Sequence, residues 1–488
     1  MDYLDPRTHL RHTIMLFTGY ALIGIAIIIA TIVLLYQAYG FGVNRSGSVI
    51  QNGLLFFSSQ PRPADIYING TLAKSKTNTR LVLPSGIYHI KLDKTGYRPW
   101  ERTVELDGGS VAHYDYPLLF PKNLITTKLQ SYTTAPGVAT QSPDHRWVVV
   151  AQAGSMINFD VYDLKNPTKA PVVITLPANL LTKATTAESW VPSEWADDNQ
   201  HLVLQHLYDG KTEYIELDRT AIAQSVNLNV VLAASPAKLT LNDKKYDQYY
   251  LFNADASLQT ASLKAPTAVL LLSHVLAYQS YGNDAVLYVT GDGAIAGKVA
   301  VKYIQAGQSF SIRSLPSGTN YLLNLTKYSG VFYFAVGAAS ENKVYVYKDP
   351  IGQINSHIVR SPVFAQVLHV EKPNFVGFSS NAQFVLAENG QQFGVYDIEN
   401  KHGYNYVTTQ PLDAPQAHAA WMDGNRLNYV SGGKLLVFDY DDMNKQSLVT
   451  AAPAYLPFFA PDYQHLYFIA PEVVAGQFNL SQTSLLIP

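Results

Sequence analysis

The chain has 488 residues, which allows two to four domains at about 150 residues each and a substantial buried core. Its 35 Lys and Arg nearly balance 37 Asp and Glu, for a net charge of −2, so it lacks the electrostatic footprint of a nucleic-acid or anionic-surface binder. It has no cysteine, which excludes a disulfide framework, thiolate zinc and iron–sulfur sites, cysteine nucleophiles and a lipid-modified cysteine anchor.

The first element is the run IMLFTGYALIGIAIIIATIVLLY, from Ile14 to Tyr36, which carries no charged side chain. It exceeds the roughly 20 apolar residues that cross a bilayer as a helix. It is too long for the core of a cleaved signal peptide (about 7–15 residues), and Tyr36 stands where cleavage before Tyr39 needs a small residue. A transmembrane helix over residues 14–39, in contact with membrane lipid, is expected after a cytoplasmic stub, residues 1–13. Arg7 and Arg11 precede the run, only Arg45 closely follows it, and Lys74 is the first lysine, so the N-terminus is expected inside and the remainder outside. Tyr36, Tyr39 and Phe41 suit the interfacial aromatic belt. Ala26 and Ala30 have the small-xxx-small spacing through which two such helices could pack into a homo-oligomer.

Residues 40–62 read as a polar connector containing one apolar patch, Leu54 to Phe57, which is either a first strand or a contact on the outer membrane surface. Residues 63–120 read as an all-β sandwich of five or six short strands. ADIYING ends in Asn69-Gly70, whose tolerance of positive φ makes it a strong hairpin signal. LVL and IYHIKL flank Pro84-Ser85-Gly86, and Lys94-Thr95-Gly96 leads into Tyr97. RTVEL and VAHYDYPL complete the module.

The strand ADIYING, the segment LPSGIYHIKL and the following GYRPW resemble the PEGA domain family. Ser85 replaces the glutamate of the family's turn and Ile87 its alanine, whereas Gly96-Tyr97 matches. The resemblance implies a small extracytoplasmic or surface-associated domain with a binding or structural role and no catalytic residues. Tyr97 and Trp100 are its candidate contact residues, with Pro84, Ser85, Gly86 and Gly96 forming its characteristic turns.

From residue 121 to the end a unit of strand, turn and strand recurs. The copies are Ser142–Asn166, Trp195–Thr220, Asp243–Ala265, Tyr281–Gln305, Lys327–Asp349, Phe378–Asn400, Trp421–Asp442 and a last one from Phe459. Their spacing of roughly 35 to 55 residues is that of β-propeller blades. Eight copies make eight blades, or seven if the third or last copy is an irregular connection. SPDHRWVVV and APDYQHLYF resemble the PD40-type, WD40-like repeats of TolB propellers. Asp144, Asp198, Asn283, Asn381, Asp423 and Asp462 precede strands and are expected to cap turns by bonding to the backbone.

The residues offer no local chemistry. There is no HExxH zinc motif, and His201 and His206 lie on opposite faces of one strand. Asp439, Asp441 and Asp442 lack the rest of a calcium loop. Gly291-Asp292-Gly293 with Gly297-Lys298 has the wrong spacing for a phosphate loop and reads as a hairpin. No G-x-S-x-G elbow occurs. No catalytic, metal or cofactor residue is therefore assigned. The expected fold is mostly β: one transmembrane helix, a PEGA-like sandwich and a propeller. The expected protein is a non-catalytic cell-envelope scaffold anchored in the cytoplasmic membrane, docking an envelope protein or a cell-wall polymer and no nucleic acid. A propeller hydrolase or lyase acting on glycans or peptides, and a sensory ectodomain, are the alternatives.

Overall fold

In a computed structural model, the described residues are 6–38, 40–43, 49–356, 361–416 and 418–487. Tyr39 and Arg45 lie outside them. Helix α1 spans Pro6–Ala38. Its window Arg11–Tyr36 is long and apolar enough to cross a membrane, and none of it is buried. The hydroxyls of Thr18 and Thr31 donate to the carbonyls of Ile14 and Ile27, each at 2.8 Å, so both find their partner within the helix. The chain divides into two compact units, Met1–Asn123 and Leu124–Pro488.

Among its described residues the first unit contains two four-stranded sheets. One comprises β1 (Phe41–Val43), β2 (Val49–Phe57), β5 (Thr79–Pro84) and β8 (Val111–Tyr114). The other has the order β4-β3-β6-β7, from β3 (Asp65–Ile68), β4 (Thr71–Lys76), β6 (Gly86–Asp93) and β7 (Trp100–Leu106). The domain thus starts earlier than residue 63, because the expected connector contributes β1 and the central strand β2. The patch Leu54 to Phe57 is a strand whose residues alternate: Leu55 and Phe57 are buried, while Leu54 and Phe56 face outward. Asn69 and Gly70 turn β3 into β4 with φ of 49° and 79°, as an Asn-Gly hairpin requires. Between β5 and β6 stands Ser85 alone, so Pro84-Ser85-Gly86 is the corner where the chain changes sheets. Gly96 has φ of +87°, which suits glycine, and its carbonyl accepts from the Lys122 amide at 2.8 Å.

The second unit is a propeller. It contains eight four-stranded antiparallel sheets among the described residues, over residues 139–175, 188–227, 238–272, 275–316, 321–369, 375–407, 420–450 and 458–484. Three strands make the last sheet, and its fourth is β9 (Thr126–Tyr132), from the start of the unit. Each sequence copy is the middle hairpin of one sheet. Inner strands such as Trp147–Ala151 are buried on both faces, which is why they read as continuous apolar runs. Apolar cores fill the spaces between neighbouring sheets. Val149, Phe159, Trp190 and Leu204 join the first to the second, and Val148, Val150, Tyr467 and Leu480 join the last back to the first. A single blade could not bury both faces; a closed ring does.

The expected turn caps form at five of six positions. Asp144, Asp198, Asn381, Asp423 and Asp462 each accept a backbone N–H two residues on. Asn283 departs from this, offering its oxygen instead to Lys245 Nζ at 2.6 Å. A second carboxylate closes the same end in several sheets: Asp163, opposite Trp147 in register, receives both Nε and Nη2 of Arg146 at 2.9 and 2.8 Å. The Gly291–Gly297 segment links two paired strands, Ala285–Thr290 and Lys298–Gln305, as a hairpin.

Candidate functional site: buried acidic networks of the propeller

The second sheet concentrates the titratable groups. Asp209-Gly210 makes a tight turn whose register sets His206 opposite Glu213, and the strand on the other side places Trp190 opposite His206. His206 is fully buried between two carboxylates, with Nδ1 2.8 Å from Glu213 Oε1 and Nε2 2.9 Å from Glu188 Oε2. Its ring stacks on Tyr208 at 5.0 Å. Glu213 also accepts the Thr182 amide and hydroxyl, each at 2.8 Å, and Asn227 Nδ2 at 2.9 Å. Burial raises its carboxyl, but the bonds from His206, Thr182 and Asn227 outweigh burial and leave it below its usual range. Asp209 takes the amides of Thr185 and Thr186. Together the two carboxylates fasten the segment between the first and second sheets to this hairpin end.

Burial pushes two other carboxyls up to neutrality. Burial pushes Glu216 up to about 7, against the hydrogen bond that Tyr249 donates at 2.6 Å. Burial likewise raises Glu388 to about 7, against the amides of Ala419 and Gly390 at 2.6 and 2.9 Å. Both side chains link adjacent sheets or turns, and both are closed to solvent.

An open cleft of about 420 Å³ lies where the first three sheets meet, lined by Thr140, Pro192, Glu194, Trp195, Asp197 and Lys244. Glu194 accepts the Leu241 amide at 2.6 Å and pairs with Lys244. Trp195 Nε1 donates to Thr140 Oγ1 at 3.0 Å. Glu194, Lys244, Trp195 and Thr140 are thus already engaged in bonds between sheets. No three His, Asp or Glu side chains among the described residues are grouped to hold a metal ion. Asp439 accepts from Asn444 at 2.9 Å, and Asp442 pairs with Lys445 at 2.6 Å. His201 points to the opposite side from His206, stacking on Tyr246 at 4.0 Å.

The two candidate contact residues of the small domain lie in its core. Tyr97 and Trp100 are each 2% exposed and pack with Leu55, Ile66 and Leu92, so neither offers a face to a partner. Trp100 begins β7 on an inward position of its alternation, and Tyr97 is held in the turn before it by a backbone bridge to Pro121. The His206 network was not anticipated. Its signal was the Asp209-Gly210 turn, whose register alone places His206 across from Glu213.

Residues 52–119 match the family model of the PEGA domain, and the chain therefore carries that domain ahead of its propeller. The structure is similar to solved propellers at low identity. The C-terminal WD40 domain of Sif2 shares 10% identity, covering 75% of this chain and 99% of that one, with a TM-score of 0.48. AztD from Citrobacter koseri, in its apo form, shares 14% over 87% of this chain and 100% of that one, TM-score 0.38. An oligogalacturonate lyase in complex with manganese shares 10% over 74% and 98%, TM-score 0.39. No curated protein sequence matches the chain.

Proposed function

We propose that this protein is a non-catalytic scaffold of the cell envelope, held in the cytoplasmic membrane by α1 with its N-terminus inside and both β units outside. The observation that carries this reading is α1 itself. Its apolar window from Arg11 to Tyr36 has no buried residue, so lipid is the environment that matches its surface. Arg7 and Arg11 on one flank set the orientation. The propeller then serves as the docking platform for an envelope protein or a cell-wall polymer, and the PEGA domain as the spacer or wall contact next to the membrane. Docking is favoured over catalysis because the propeller's buried carboxyls are engaged in bonds that fasten its own sheets and connectors. Alkaline extraction of membranes, followed by protease treatment of sealed spheroplasts, tests the reading. The full-length chain should stay with the membrane, and external protease should remove both β units. Release of a shortened chain into the soluble fraction would overturn it.

A further inference from the structure

The small domain exposes an apolar row next to the end of α1. Three residues past that helix's last one the chain enters β1, and the Asn52 amide of β2 donates to the Gly40 carbonyl at 2.7 Å. Two residues further along β2, Leu54 pairs with Val82 of β5 on one side and Val111 of β8 on the other. Directly paired residues share a face, so Val82, Leu54 and Val111 form a continuous row across three strands. Val82 and Val111 are 60% and 54% exposed. The next row on that face is Arg80, Phe56 and His113, with Phe56 and His113 stacked at 4.6 Å and 7°. A cleft of about 640 Å³ opens beside the first row, lined by Gly40, Phe41, Gln51, Leu54, Val82 and Val111.

We propose that this face of the β2-centred sheet rests on the phospholipid interface of the bilayer that holds α1. The inference rests on α1 being a membrane anchor. Chain length supplies the argument for lipid as the occupant. At about 3.3 Å per residue the first row lies roughly 7 Å along β2 from the bond to Gly40, about the depth of one headgroup layer, and the second roughly 13 Å, at the water side of that layer. The order of the rows fits that layer. Valines and a leucine lie nearest the helix, and an aromatic ring flanked by a guanidinium and an imidazole, groups suited to phosphate and glycerol oxygens, lies farther out. The chain's near-zero net charge is no obstacle, because the contact is made by burial of apolar surface rather than by long-range attraction.

Because the chain has no cysteine, single labels report without background. Full-length Val82→Cys, Val111→Cys, Leu72→Cys and Ile25→Cys are labelled with an environment-sensitive fluorophore in phosphatidylcholine nanodiscs. Nitroxide lipids carry the quencher in the headgroup or deep in the acyl chain. The headgroup quencher should act at least threefold more strongly at positions 82 and 111 than at 72, which is exposed on the other sheet, and the deep quencher should act at 25. Deep quenching at 25 with no difference between 82, 111 and 72 overturns the docked face and leaves the anchor standing. Absence of deep quenching at 25 overturns the anchor, and the docked face with it.

Discussion

The Thr126 hydroxyl lies 2.6 Å from that of Thr483, 357 residues later in the chain. Between them the chain passes through all eight sheets of the second unit, and β9 then completes the last of them by pairing Tyr132 with Phe478 and Thr126 with Thr483. The ring is thereby closed by main-chain bonds instead of by side-chain contact alone. Tyr132 is the pivot of the closure: it is buried, and its hydroxyl lies 2.9 Å from that of Tyr162 and 3.2 Å from Asp160 Oδ2 in the first sheet.

Tyr132→Ala should therefore cost about 3–5 kcal/mol, since it opens a cavity and leaves Asp160 and Tyr162 short of a partner. Urea unfolding of the second unit is the measurement. Tyr132→Phe, which keeps the ring, should cost about 1–2 kcal/mol.

Glu213→Ala should loosen the segment between the first two sheets. It removes the acceptor for Thr182, Asn227 and His206 together, and each buried group left without its hydrogen-bond partner costs about 1–3 kcal/mol. Amide hydrogen exchange over residues 178–187 should accelerate by at least tenfold, with little change in the sheets across the ring.

Stability should fall as pH rises through neutrality. The Glu216 carboxyl sits at about 7 in the folded chain against 4.5 when unfolded. A raised carboxyl contributes stability that is fully present below the unfolded value and is lost as pH climbs through the folded one. Glu388 acts in the same direction with the same values. Calorimetry between about pH 5 and pH 8 should show a loss on the order of 1–3 kcal/mol per group. Glu216→Gln, which still accepts from Tyr249 but cannot ionise, should flatten that slope.

Gly53→Ala should unfold the small domain selectively. A Cβ at Gly53 would stand 2.6 Å from Leu106 Cδ1 and 2.7 Å from the Asp107 carbonyl oxygen, and the second of these is backbone that cannot step aside. Overpacking of this kind costs about 1–3 kcal/mol. Trp100→Ala, which empties the centre of the same core, should cost about 3–5 kcal/mol. In either variant a low-temperature transition should appear while that of the propeller is unchanged.

Much of the architecture is legible in the sequence, because it is written in short-range pattern. The unbroken apolar run of α1, the Asn69-Gly70 hairpin and the recurring strand-turn-strand units all depend on residues within a few positions of one another. The same holds for the capping Asp and Asn side chains, except at Asn283, where a lysine from the preceding sheet competes for the side chain. The site was less legible. The Asp209-Gly210 turn implied that His206 faces Glu213, yet nothing local showed that Glu188, Thr182 and Asn227 would converge on the same pair.

Helix length, strand alternation and turn chemistry are properties of neighbouring residues, so the residues alone call for a lipid-compatible helix, a PEGA-type β module and a repeated blade unit. Long-range pairing instead settles that β1 and β2, from the expected connector, belong to the small domain, that Tyr97 and Trp100 are core, that Leu54 and Val111 share an exposed face, and that β9 closes the propeller. Those outcomes depend on which strands pair across long stretches of chain. Pairing is chosen by burial on both faces of a sheet, a condition satisfied only when the whole fold is assembled.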